Sequence, residues 1–135
     1  MVETLKIHGK TFRVEYNENA LHTILDGLDI VKSTSRAIVE RSIVYFACYP
    51  KKLGFIYDAI ALERTLSPNT VAVHLRNAII TAEYNGGLKN IDDLIGAEIY
   101  DYDYGLSSKS FVAILSSYLK SCGLLNVKTV DNSIL

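Results

Sequence analysis

The stretch 67–84 constrains the fold of this chain more than any other. Ser67 can accept a hydrogen bond from a free N–H of a first helical turn, and Pro68 suits the first helical position because it has no N–H to leave unpaired. Val71, Leu75, Ala78 and Ala82 then recur at helical spacing and form one apolar stripe. Asn69, Thr70, Val73, His74 and Asn77 point elsewhere. Asn85-Gly86-Gly87 ends the helix, since glycine is the usual residue where a chain leaves through a left-handed conformation. A helix buried along one edge with a small polar exposed face matches the second helix of a helix-turn-helix, and it equally describes an ordinary surface helix.

The flanking sequence supplies the elements such a helix needs. Leu5, Ile7, Phe12, Val14 and Tyr16 alternate with polar residues around His8-Gly9-Lys10, which predicts a β-hairpin with one apolar face. An isolated hairpin is marginal, so it must dock on the helices or on another copy of itself. A first helix is expected from an N-cap at Asn19, with Leu21, Ile24, Leu25 and Leu28 inward. A second begins near Ser33-Thr34-Ser35, turns Ile38, Val39, Ser42, Ile43 and Phe46 inward, and ends at Tyr49-Pro50, because proline disfavours helical geometry at the residue before it. A third covers 51–64, and Thr65-Leu66-Ser67 turns it into the helix described above.

Downstream, a short helix over Asn90 to Ile95 is closed by Gly96. Tyr100-Asp101-Tyr102-Asp103-Tyr104 reads as irregular loop, with Asp101 and Asp103 projecting to one side. A last helix starts at Ser107-Ser108, carries Phe111, Ile114, Leu115, Tyr118 and Leu119 in a stripe, and ends at Cys122-Gly123. The expected architecture is mainly α: a single helical bundle containing a helix-turn-helix over 19–123, an N-terminal β-hairpin over 1–18, and a tail over 124–135 with weak strand character.

With 135 residues, 49% hydrophobic and 21% charged, the chain can build one globular core. No apolar run is long enough to span a bilayer, and the first residues lack a signal-peptide pattern, so no membrane partner is expected. Cys48 and Cys122 lie in apolar helical contexts and read as buried thiols suited to a reducing cytoplasm; spacing leaves a disulfide open. His8, His22 and His74 stand apart, without paired ligands at short intervals, so neither a metal nor another cofactor is expected. Asp92-Asp93 suits the dipole of a helix's opening turn. No nucleophile elbow, Walker loop or dinucleotide glycine pattern is present, and nothing points to an enzyme. The nine tyrosines are not interleaved with Lys or Arg, so packing explains them better than base stacking does.

Fourteen Lys and Arg face fifteen Asp and Glu, which leaves any DNA-binding footprint to a local patch. Lys32, Arg36, Arg41, Lys51, Lys52, Arg64 and Arg76 are the cations that can build one. Lys51 and Lys52 stand out, because the first helix of a helix-turn-helix crosses the phosphate backbone and its ends touch phosphates.

The stretch from Leu21 to Leu119 resembles the C-terminal DNA-binding domain of the stage-zero sporulation protein A family, the sporulation master regulators. The pieces that carry the resemblance are Leu21-His22-Thr23-Ile24-Leu25, Tyr57, Ile60-Ala61, Val71-x-x-x-Leu75-Arg76-x-Ala78-Ile79, Asn90-Ile91-Asp92 with Gly96, and Ser110-Phe111-Val112-Ala113. Their order and near-matching spacing run over most of the chain. The resemblance implies a helical bundle with a helix-turn-helix at its middle, double-stranded DNA as partner, and RNA polymerase as a second partner through the segment Asn85 to Gly96.

Three departures qualify it. Only the hairpin precedes the bundle where the family has a phosphoacceptor receiver domain, so phosphorylation control of the usual kind is not expected. Thr70 and Val73 stand at positions of family arginines and Ala72 at that of a glutamate, which removes the guanine and cytosine contacts and leaves Arg76 in register. The loop before the last helix, basic in the family, carries Asp101 and Asp103.

The leading expectation is a cytoplasmic DNA-binding transcriptional regulator with altered specificity, its reading face formed by Asn69, Thr70, Val73, His74, Arg76 and Asn77 and its phosphate contacts by Lys51 and Lys52. Asn69 or Asn77 suits adenine, and Val73 or the Thr70 methyl suits thymine, so an A·T-leaning site follows. The alternative is a protein-binding module or inhibitor that keeps the fold and has lost DNA recognition. A homodimer is expected in either case, through the hairpin or the helix from Phe111 to Leu119.

Overall fold

The computed structural model describes residues 1–130. Strands β1 (Val2–Ile7) and β2 (Lys10–Tyr16) pair antiparallel with Leu5 opposite Phe12. The turn residues His8 (φ 49°) and Gly9 (φ 76°) are both left-handed, the geometry whose twist matches that of the flanking strands. Leu5, Ile7, Phe12, Val14 and Tyr16 are all buried on one face, as their alternation predicts.

The tail contributes more than weak strand character. Leu125–Thr129 forms β3, antiparallel to β2 with Val14 opposite Val127, so both ends of the described chain meet in a sheet of order β1-β2-β3. A third strand and a helical layer give the hairpin the support it lacks alone. Residues 131–135, the rest of the expected tail, lie outside the described residues.

Helix α1 (Glu18–Gly27) follows β2 directly and is capped by Asn17, whose side chain accepts from the Ala20 N–H at 2.9 Å. The expected cap, Asn19, falls inside the first turn because the strand ends at Tyr16 and leaves no room for a longer connection. Helix α2 (Thr34–Cys48) is capped by Ser33 and ends before Pro50. Helices α3 (Leu53–Arg64), α4 (Pro68–Tyr84), α5 (Ile91–Ile95) and α6 (Ser108–Ser121) complete the bundle. Between α4 and α5, Gly87 lies so close to Asp29 that a side-chain carbon there would collide with its carboxyl group.

The core is organised around α2. It packs on α4 and α6 on one side and reaches β2 and β3 on another, with α3 alongside. Every residue from Ser42 to Cys48 is therefore buried. Helix α4 packs on α2, α3 and α6, so α2 stands between it and the sheet. Among the described residues no helix is long and apolar enough to cross a membrane. Both cysteines are free, and only Cys48 is buried. Cys122 is exposed, contrary to expectation, because it sits at the C-cap of α6, past the end of the buried stripe.

Arg36, on the first turns of α2 and only 4% exposed, closes the α1–α2 connection. Its guanidinium donates to the Asp26 carboxylate, to the Ile30 carbonyl at 3.1 Å, to the His22 carbonyl at 3.0 Å and to Glu40 at 3.3 Å. Removing the guanidinium leaves the Ile30 and His22 carbonyls without their donor, while Asp26, whose side chain is 59% exposed, is free to rehydrate. Arg36→Ala is expected to destabilise the chain by about 2 kcal/mol in urea unfolding.

Candidate nucleic-acid interface

Helices α3 and α4 form a close pair joined by three residues. Helix α3 buries Ile56, Ile60 and Ala61. It ends at Thr65, which is left-handed at φ 57°, while the Leu66 N–H bonds back to the Ala61 carbonyl at 2.9 Å. Ser67 then caps α4, its hydroxyl accepting from the Thr70 N–H at 3.1 Å and lying 2.8 Å from the Thr70 hydroxyl. Pro68 occupies the first turn, as the sequence predicts.

Helix α4 buries Val71, Leu75, Ile79 and Ala82. Ile79 thus takes the inward place expected of Ala78, which is half-buried. The stripe steps by four, four and three residues, which turns the larger side chain toward the core.

The predicted reading residues divide into two groups. Asn69, Val73 and Asn77 are exposed in one row at four-residue spacing. Thr70, His74 and Arg76 are half-buried and engaged within the chain. Thr70 supports the cap, and His74 Nδ1 lies 2.9 Å from the Ser35 hydroxyl at the start of α2. Arg76 Nη1 donates to the Leu106 carbonyl at 2.7 Å. Farther along α4, Glu83 accepts the Tyr100 hydroxyl at 2.7 Å. The segment between α5 and α6 is therefore strapped to one flank of α4 and leaves a single free row. Ile80 and Tyr84, 46% and 90% exposed, extend the outer face toward the C-terminal end. The apolar character of Ile80 hides its outward position in the sequence; its offset of three from Asn77 is the signal that marks it.

Asp101 and Asp103 do not form the shared carboxylate face expected of an extended segment. Asp101 bridges to Gly105, and its side chain accepts the N–H groups of Asp103 at 2.8 Å and Tyr104 at 3.0 Å. Asp92 similarly accepts the N–H groups of Ile99 and Tyr100 at 2.8 and 2.7 Å, in addition to lying in the first turn of α5. The tyrosines also divide, with Tyr16, Tyr45 and Tyr49 in the core and Tyr84, Tyr102 and Tyr104 exposed.

The expected local patch of cations is largely consumed inside the fold. Arg36 is internal, and Arg41 is clamped between Glu3 at 2.7 Å and Glu63 at 2.6 Å. Arg64 lies 3.8 Å from Glu63. Lys51 and Lys52 are exposed, at the opposite end of α3 from the Ser67 cap, about 18 Å along a helix of that length. Lys51 Nζ lies 5.1 Å from the centre of the Tyr49 ring, with Lys10 of the hairpin 5.9 Å from the same ring. The neighbouring His8 ring packs 4.0 Å from Phe55.

The expected dimer surface on α6 is also internal in part. Phe111, Leu115 and Leu119 are buried in the chain's own core. Ala113, Ile114, Ser117 and Tyr118 line an open groove with Ile95 and Ile99. Comparison of the chain with protein-family models, curated proteins and solved structures finds no match in any of the three.

The Arg41 junction carries a pH dependence. Burial raises the Glu3 carboxyl, but hydrogen bonding to Arg41, the Arg41 charge and the Tyr16 hydroxyl outweigh it and hold Glu3 below its ordinary value of 4.5. Burial and Glu63 push the Tyr45 hydroxyl up to about 12. A carboxyl depressed in the folded state contributes stability above its unfolded value, which is lost as pH falls through the folded one. Stability measured by denaturant is expected to decline below about pH 4.5, with a shallower decline in Glu3→Gln.

A β-branched residue at φ 57° is strained, because left-handed backbone crowds the side chain. Thr65→Gly is expected to stabilise the α3–α4 turn by about 1 kcal/mol, read as a higher urea midpoint without a change in slope.

Proposed function

We propose that this chain is a DNA-binding transcriptional regulator resembling the sporulation-regulator effector domains, with α3, the Thr65–Ser67 turn and α4 acting as a helix-turn-helix. The observation that carries this reading is the row Asn69, Val73 and Asn77, exposed on a helix whose other faces are buried or strapped down. Asparagine pairs bidentately with adenine in the major groove, and valine fits the thymine methyl, so the row favours A·T pairs. Helix α4 enters the groove in this reading, and Lys51 and Lys52 meet phosphates. Arg76, held by the Leu106 carbonyl, contributes little to base reading unless the loop moves. Homodimerisation, contact with RNA polymerase through 85–96 and a cytoplasmic location belong to the same proposal, the last supported by two free thiols.

A second reading, a protein-binding module on the same scaffold, is favoured by a specific observation. Val73, Ile80 and Tyr84 are exposed on the outer face of α4, and Leu62 of α3 is 87% exposed. Exposed apolar residues of this kind suit a protein surface better than a phosphate backbone.

Gel shifts with A·T-rich and G·C-rich duplexes at low and raised salt separate the two. Salt-dependent binding with an A·T preference is expected, and Asn77→Ala is expected to reduce that preference by about 1–3 kcal/mol if the bidentate pair forms. A chain that binds no duplex at low salt but recovers a stoichiometric protein partner would overturn the DNA reading in favour of the second.

A further inference from the structure

The outer face of the sheet concentrates positive charge that the α4 reading leaves unused. Alternation with the buried residues turns Thr4 and Lys6 of β1, Arg13 and Glu15 of β2, and Asn126 and Lys128 of β3 outward. Lys6, Arg13 and Lys128 thus face solvent with Glu15 as the one outward carboxylate on the described strands. The other acid of the hairpin, Glu3, points inward and is bound by Arg41. Beyond the turn end of the hairpin, Lys10 and Lys51 share the Tyr49 ring.

The pairing register sharpens the point. Arg13 stands directly opposite Lys128 on β3, and Lys6 is its diagonal neighbour across β1, since Thr4 pairs with Arg13 and Lys6 with Thr11. Like charges directly opposite on neighbouring strands destabilise a sheet, and here no carboxylate of the described residues forms an ion pair with either. A bound polyanion converts that repulsion into attraction. Five acids, by contrast, fall between Asp92 and Asp103, in the segment strapped to α4. The net charge of −1 is therefore segregated rather than mixed.

We propose that this sheet face binds the phosphodiester backbone of duplex DNA through Lys6, Arg13 and Lys128. The inference deepens the DNA reading and rests on it for the choice of a duplex, but it uses a different surface, separated from α4 by the buried helix α2. A sheet face with three cations and one carboxylate suits sequence-independent backbone binding, which supplies affinity without base reading. Its outward apolar residues are confined to Val2 and Val130 at its margins, too few to insert into a lipid interface.

The test measures the salt dependence of affinity of the full chain for random-sequence and A·T-rich duplexes. The neutral triple variant Lys6→Gln, Arg13→Gln, Lys128→Gln is expected to flatten the plot of log affinity against log salt by about 0.9 for each phosphate no longer neutralised, or about 2.7 in all. Affinity for all duplexes should fall in the same ratio, leaving the A·T preference intact. Lys128→Glu separates binding from folding. It replaces a cross-strand repulsion by an attraction, so Tm is expected to rise by about 2 °C while duplex affinity falls several-fold. An unchanged salt slope in the triple variant overturns the inference, as does wild-type binding to phosphatidylserine vesicles or an acidic peptide with none to duplex. Asn77→Ala keeps the failures apart. A normal slope with lost A·T preference leaves the sheet inference standing, whereas a flattened triple-variant slope with no effect of Asn77→Ala removes the α4 reading alone.

Discussion

Helix α2 is buried through its whole second half, and the rest of this structure depends on how the charges ahead of that stretch are held. Its second half, Ser42 to Cys48, is shielded from solvent, so its backbone and side chains must satisfy themselves or their neighbours. Ser42 does so by donating to the Ile38 carbonyl at 2.7 Å. The two arginines solve the problem by reaching outward from the helix to carboxylates on different elements. Arg36 binds Asp26 of α1, and Arg41 binds Glu3 of β1 and Glu63 of α3. Tyr16 and Tyr45 complete the second junction by donating to Glu3 and Glu63. Such pairs add little net stability over an apolar core, but each shielded guanidinium needs its acceptors, so they fix the relative placement of the elements they join.

That arrangement determines where charge remains for a partner. Arginine is the residue best suited to phosphate and guanine, and here Arg36, Arg41 and Arg76 are all committed to internal acceptors. The acids of the α5–α6 segment are partly spent as well, with Asp92 and Asp101 each accepting two backbone N–H groups. The uncommitted cations are chiefly lysines, with Arg13 the exception, and several cluster on the sheet and around Tyr49. A near-neutral total conceals this segregation, because a sum over residues carries no information about where they face.

Local chemistry made much of the fold legible. The hairpin was marked by alternation around His8-Gly9, and the α4 start by Ser67 and Pro68, because both signals depend on neighbours a few residues away. What escaped depends on distant partners. The pairing of Leu125–Thr129 with β2 is invisible in a five-residue strand whose mate lies at the other end of the chain. Cys122 looked buried because its neighbours on α6 are apolar, yet it lies beyond the last turn. Arg36 and Arg41 looked available because no spacing rule reveals that their partners are Asp26, Glu3 and Glu63. At the candidate site the same division holds. Helical periodicity marks Asn69, Val73 and Asn77 as outward but groups Thr70 and His74 with them, and the capture of Arg76 by the Leu106 carbonyl, thirty residues away in sequence, was not legible.

That capture bears on the character of any binding. A reading face of two asparagines and a valine can discriminate A·T from G·C pairs, but none of these side chains neutralises a phosphate. The flank that would add cations is covered by the loop that Arg76 and Glu83 hold in place. In the proposed DNA reading, affinity for a duplex held by α4 would draw on Lys51 and Lys52 at the α3 N-terminus, and such interactions are insensitive to sequence. On the proposed reading, the two tasks that recognition helices with arginines combine are divided: one narrow row would choose bases, and distant basic surfaces would hold the backbone. A protein so divided gains little specificity from additional salt-sensitive interactions, since every sequence benefits from them equally. On that reading its discrimination would be limited by α4 alone, and so by whether the Arg76–Leu106 bond keeps the loop closed over that helix.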